Sequence, residues 1–112
     1  MKLNYVIKYA ADMNEAVAFY RDKLGLELRV QYPGWAEFVT GGTTLALQPA
    51  SDEHPAGSLS LGFRVDDFDE FYAGAREDGI EFTAEPTDMR GQRIARFKDS
   101  EGAECSVSGK AE

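Results

Sequence analysis

The sequence predicts an α+β fold of two tandem βαβββ modules. Three observations predict it. The order strand, helix, strands runs through the chain twice within 112 residues. Ordered residue identities link the two runs. Each run supplies one helix to cover one face of its sheet, which leaves the other face either to pack on something or to line a cavity, for which a small-molecule pocket is the natural use. The first module occupies about residues 1–49, a connector 50–58, and the second module about 59–108.

Residues 3–10 (LNYVIKYA) are rich in β-branched and aromatic side chains and read as a strand. Asp12 with Glu15 three residues later has the form of a capping box and opens a helix. Met13, Ala16, Val17, Tyr20 and Leu24 fall on one face of it, and Gly25 stops it. Strands are expected at 26–32 and 35–40, joined at Pro33-Gly34, and at 43–48 after the turn Gly41-Gly42. The connector, PASDEHPAGS with Pro49, has no apolar period. The order then restarts with a strand at 59–65 and a cap signal at Asp67 and Glu70. A helix face of Phe68, Phe71, Tyr72 and Ala75 follows, with a stop at Gly79. Strands are expected at about 80–84, 92–97 and 103–107, with the turn Asp99-Ser100-Glu101-Gly102 between the last two.

At a shift of 55, Asp12 matches Asp67, Glu15 matches Glu70, Ala18 matches Ala73 and Arg21 matches Arg76. Gly25 and Gly79 are 54 apart, Phe38 and Phe97 are 59 apart, and Gly42 and Gly102 are 60 apart. Small insertions in loops and helix ends account for that drift, so the modules read as two copies of one unit.

Composition limits the function. The chain carries 20 acidic and 12 basic side chains, a net charge of -8, which repels a phosphate backbone and argues against nucleic acid as a partner. All of the excess lies after residue 50, and an acidic half attracts cationic ligands. One cysteine, Cys105, cannot close an intrachain disulfide, which makes a reducing, cytoplasmic setting the expectation. The opening MKLNYVIK lacks the apolar core of a signal peptide, and no stretch is long and apolar enough for a membrane helix. One histidine, His54, leaves no Ser-His-Asp set to assemble outside a connector.

Three stretches carry a family likeness: YVIKYAADM from Tyr5 running into FYRDKLGL from Phe19, then SLGFRVDD from Ser60, and FKDSEG from Phe97. With these the sequence resembles the vicinal oxygen chelate superfamily of glyoxalases, bleomycin-resistance proteins and extradiol dioxygenases. The resemblance implies paired βαβββ modules forming a cup-shaped sheet, usually in a homodimer and, in metal-dependent members, one divalent ion held in the cup by His, Glu or Gln from four strands. Here those positions fall on Tyr5, Ala46, Ser60 and Ser106. None is a good divalent-metal ligand, so no cofactor is expected. Gln48, on the same strand face as Ala46, is the candidate for a displaced ligand, and His54 is the other metal-binding side chain to consider.

If Tyr5 faces the cup, strand alternation puts Ile7 and Tyr9 there too, and Ser60, Gly62 and Arg64 in the second module. Leu45, Leu47, Cys105 and Val107 then face the helices, while Thr44, Ala46, Gln48, Glu104, Ser106 and Ser108 face inward. Lys8 falls awkwardly on the helix side. Candidate ligand-binding residues are Tyr5, Tyr9, Trp35, Gln48, Ser60, Arg64, Glu104 and Ser106. Each has a plainer alternative. Tyr5 and Tyr9 suit a dimer contact, Trp35 suits hairpin packing, and Arg64 suits an ion pair with Glu104 as well as an anchor for an anionic ligand. The acidic run at Asp66–Glu70 suits a helix N-terminus, and Cys105 reads as a buried, inert thiol. Two functions follow from the resemblance. One is a metal-free small-molecule-binding protein, with antibiotics among its ligand classes. The other is an enzyme of the lyase, isomerase or dioxygenase type acting on a small oxygenated substrate.

Overall fold

The computed structural model describes residues 1–111. The fold is α+β and divides into two compact units, Asn4–Leu59 and a second that joins Met1–Leu3 to the chain from Ser60 onward. Within the first unit the strands lie in the order β2 (Glu27–Tyr32), β3 (Trp35–Val39), β4 (Thr44–Pro49) and β1 (Lys2–Ala10), and within the second β5 (Leu59–Asp67), β8 (Glu104–Lys110), β7 (Gln92–Lys98) and β6 (Thr87–Met89). In each, the first and last strands pair in parallel and the others antiparallel. Among the described residues, no helix is long and apolar enough to cross a membrane.

In the first unit, β1 (Lys2–Ala10) leads into α1 (Met13–Ala18). Asp12 Oδ1 accepts from the Glu15 amide at 3.0 Å, satisfying one of the orphan donors at the helix start. A single π-helical turn then spans Phe19–Lys23, with the Leu24 amide donating to the Phe19 carbonyl at 3.1 Å. That wider turn rotates the residues after it. Leu24, expected on the buried face, is therefore 57% exposed, while Met13, Ala16, Val17 and Tyr20 pack on Ala36, Phe38, Leu45 and Leu47 as their spacing predicts. β2 (Glu27–Tyr32) and β3 (Trp35–Val39) form a hairpin across Pro33-Gly34, with a bulge between Leu28 and Val30. β4 (Thr44–Pro49) lies beside β1 with Ile7 opposite Ala46.

In the second unit, β5 (Leu59–Asp67) leads into α2 (Phe68–Glu77), and Asp67 Oδ1 accepts from the Glu70 amide at 3.1 Å. Phe68 and Ala75 are buried, and Phe68 packs with Phe71, Tyr72, Ala95 and Val107. The acidic first turn of α2, Asp69 and Glu70, sits where the helix dipole favours negative charge. The strand expected at 80–84 is reduced to one antiparallel bridge, Phe82 to Phe97, flanked by the Thr83 amide on the Arg96 carbonyl and the Lys98 amide on the Glu81 carbonyl. Pro86, with no N–H, cannot extend such a ladder. The sheet edge is instead taken by β6 (Thr87–Met89), which forms a hairpin with β7 (Gln92–Lys98). Its turn, Arg90-Gly91, has φ of 52° and 81°, the mirror-type turn that suits strand twist. β8 (Glu104–Lys110) follows a turn in which Asp99 Oδ1 accepts from the amides of Glu101 and Ala103.

Candidate functional site

Because Leu45 and Leu47 pack toward α1, alternation sends their neighbours on β4 to the opposite face. There Tyr5, Ile7, Tyr9, Ala46 and Trp35 form a second cluster. The Tyr5 and Trp35 rings meet edge to face at 5.6 Å. Trp35 Nε1 donates to Glu37 Oε2 at 2.7 Å, and Arg29 Nη2 donates to Glu37 Oε1 at 2.7 Å and to Thr44 Oγ1 at 2.9 Å. Arg29 is the extra residue of the β2 bulge, and an inserted residue re-aims side chains in this way. Sequence reasoning passed over Glu37, although alternation from Trp35 places it on the same face. Its side chain is only 14% exposed, so it depends on its two donors. Tyr9 also differs from expectation, because His54 of the connector stacks on it at 4.3 Å and 5° between planes. Gln48 lies opposite Tyr9 on the neighbouring strand. Lys8, awkward by alternation, is accommodated by donating from Nζ to the Gly57 carbonyl at 2.9 Å.

In the second unit, Phe63, Val65 and Val107 pack with Phe68, so Ser60, Gly62 and Arg64 on β5 and Glu104, Ser106 and Ser108 on β8 occupy the opposite face. β7 contributes Ile94, Arg96 and Lys98 there, since Ala95 and Phe97 belong to the helix side. Ser60 is buried and its Oγ donates to the Glu104 carbonyl at 3.0 Å. Glu104 Oε2 accepts from Thr83 Oγ1 at 3.0 Å. The expected pair between Arg64 and Glu104 does not form. Register sets Arg64 opposite Ser108, four residues along β8 from Glu104, or about 13 Å of strand. Lys98 Nζ reaches Glu81 at 3.3 Å, whereas neither Arg64 nor Arg96 has an ion pair among the described residues.

The residues at the four metal positions do not fit a divalent ion. Ala46 has no donor atom and is fully buried, Ser60 already spends its hydroxyl proton on a carbonyl, and Tyr5 and Ser106 are weak neutral donors. Among the described residues no three His, Cys, Asp or Glu side chains are grouped to share a metal. Cys105 is buried, and burial first, then the nearby Asp99 charge, pushes its thiol pKa up, so it stays protonated and unreactive at neutral pH.

Two cavities lie away from most of these residues. One of about 370 Å³ in the first unit is lined by Lys8, Tyr9, Asp12, Glu15, Phe19 and Tyr20 among others. One of about 360 Å³ in the second is lined by Tyr72, Arg76, Phe82, Thr83 and Glu85 among others.

Residues 2–107 match the family model of the Glyoxalase/Bleomycin resistance protein/Dioxygenase superfamily. The uncharacterized protein YurT of Bacillus subtilis strain 168 is 32% identical, covering 91% of this chain and 94% of that protein. Two solved structures share the fold. A member of the same superfamily from Vibrio splendidus 12B01 aligns at TM-score 0.71 and 19% identity over 94% of this chain and 95% of its own. Methylmalonyl-CoA epimerase from Mycobacterium tuberculosis aligns at TM-score 0.76 and 21% identity over 99% and 89%. With nearly the whole chain inside the match, the protein belongs to the Glyoxalase/Bleomycin resistance protein/Dioxygenase superfamily.

Proposed function

We propose that the protein binds a small molecule without a metal ion, with antibiotics among the ligand classes to test, and that it works as a cytoplasmic homodimer. The observation that carries this reading is the set of residues at the four metal positions, Tyr5, Ala46, Ser60 and Ser106, of which Ala46 has no lone pair to offer. Tyr5, Trp35 and Gln48 supply an aromatic and amide surface on one unit, with Tyr9 buried under His54, and Arg64, Glu104 and Ser106 supply a polar one on the other, with Ser60 buried against the Glu104 carbonyl. Such surfaces suit recognition by stacking and hydrogen bonding. A sequestering protein needs affinity alone, and no transition state has to be stabilised. Two features support the dimer and the compartment: Leu59 and Leu61 on β5 are exposed apolar side chains, and the one cysteine is unpaired.

The test has two arms. Protein purified without tag or chelator is analysed for metal, and the fluorescence of its one tryptophan, Trp35, is titrated with aromatic glycopeptide antibiotics. The reading expects metal far below one ion per chain and a saturable change in emission. Near-stoichiometric metal would overturn it in favour of an enzyme of the same superfamily. Light scattering checks the dimer, and a monomer at all concentrations removes that part.

A further inference from the structure

The second unit's exposed sheet face carries a charge opposite to that of the chain as a whole. Arg64 on β5 and Arg96 on β7 flank β8, where Ser106 and Ser108 present hydroxyls to the same face. Arg64 stands opposite Ser108 and Arg96 opposite Ser106, so the two arginines lie on a diagonal across that serine pair. Strand spacing and rise put their Cα atoms roughly 12 Å apart, within the span of two arginine side chains converging on one group. Lys98 and Lys110 extend the positive row, but Lys98 is neutralised by Glu81. Of the nearby acids, Glu104 is held at the far end of β8 by Thr83, and Asp66 is the exposed extra residue of the β5 bulge, two positions after Arg64. In a chain with 20 carboxylates, two arginines without an ion pair among the described residues, set around a pair of hydroxyls, need a reason.

We infer that the face formed by Arg64, Arg96, Ser106 and Ser108 recognises the anionic group, carboxylate or phosphate, of a small organic ligand. Guanidinium forks match the planar or tetrahedral oxygens of such groups, and serine hydroxyls donate to whichever oxygens remain. This deepens the binding reading above and rests on it, and it reverses the expectation of a cationic ligand drawn from net charge. Part of the acidic charge is committed elsewhere, to the α2 cap at Asp67, the Arg93 pairs with Asp69 and Asp88, and the turn at Asp99. Local charge, not the sum, decides what a face attracts.

The test titrates isotope-labelled full-length protein with inorganic phosphate and, separately, with succinate, following backbone amide and arginine Nε resonances. The two probes distinguish phosphate from carboxylate recognition. The inference expects saturable shifts at Ser106, Ser108, Arg64 and Arg96, with affinity falling about tenfold or more in Arg64→Gln and in Arg96→Gln. Lys23→Gln, which removes one positive charge from the other unit, leaves affinity unchanged. Shifts absent from this face with both probes, or an equal loss in Lys23→Gln, would overturn the inference. Thermal unfolding of each variant shows that the fold is intact, since both arginines are exposed. Trp35 lies on the first unit, so a surviving antibiotic-induced emission change separates failure of this inference from failure of the proposed function.

Discussion

Gly109 is where the second unit's packing is tightest. A Cβ at that position would meet the Val65 carbonyl oxygen at 2.7 Å, Val65 Cγ2 at 2.8 Å and Phe68 Cβ at 3.3 Å. The first is backbone of the paired strand β5 and the last belongs to a fully buried helix residue, so neither can yield cheaply. Overpacking of this kind costs about 1–3 kcal/mol. Loss of unfolded-chain freedom on replacing Gly with Ala returns about 0.4–1 kcal/mol. Gly109→Ala is therefore expected to lower stability by about 1–2 kcal/mol, a fall in Tm of roughly 3–10 °C for a domain of this size. Gly74 supplies the opposite sign. It lies within α2, an added Cβ there meets nothing within 4 Å, and Gly74→Ala is expected to raise stability by about 0.5–1 kcal/mol. Thermal and urea unfolding by circular dichroism measure both. A Gly109→Ala protein as stable as its parent would refute the placement of Gly109 under α2. The alternation that turns Ser106 and Ser108 to the exposed face would fall with it.

Other substitutions read out the remaining parts of the structure. Glu37→Gln keeps the shape but removes the charge shared by Trp35 and Arg29, with an expected cost of about 1–2 kcal/mol, discounted because Arg29 is half exposed. A shift in Trp35 emission should accompany it, and unchanged emission and stability together would mean the network is idle. Arg90→Asn relieves a side chain held at φ 52° and is expected to gain about 0.5 kcal/mol in urea unfolding, whereas a loss would refute the turn type. Cys105 should resist thiol reagents until the chain unfolds. Because burial raises its folded pKa, the unfolded chain releases the thiol proton first. Its contribution is thus complete below about pH 8.5 and declines as pH rises toward the folded value. The stability difference between wild type and Cys105→Ala measured across alkaline pH checks this, and a difference that does not change with pH would refute it.

Periodicity made most of the architecture legible, because both cap residues, both helix faces and the inward and outward parity of β1, β4, β5 and β8 follow from burial and two-residue alternation. What escaped prediction depends on hydrogen bonds that side-chain patterns do not encode. The π-helical turn at Phe19–Lys23 is an i→i+5 choice of the backbone, and it exposed a leucine that α-helical spacing would bury. The segment 80–84 has strand-like residues but pairs at one point only, since its continuation meets Pro86. The β2 bulge brought Arg29 to Glu37, a partnership invisible without register. His54, assigned to a connector, found Tyr9 by chain geometry over 45 residues of separation, which residue type alone cannot foresee.

The net charge of -8 is a coarse guide for a related reason. A sum over the sequence weighs every carboxylate alike, but a ligand meets only the charges on the face it approaches, with the rest weakened by distance and salt. In the second unit several of the acids lie where folding uses them, at a helix start, in ion pairs with Arg93 and Lys98, and in a tight turn. Alternation then leaves one sheet face with Arg64 and Arg96 around two serines. The same parity that buries Val107 and Gly109 under α2 turns Ser106 and Ser108 outward, so packing on one side of β8 dictates chemistry on the other. A one-residue slip of β8 would bury the serines against Phe68 and expose Val107. The proposal of an anionic ligand is therefore tied to the same register that Gly109→Ala tests.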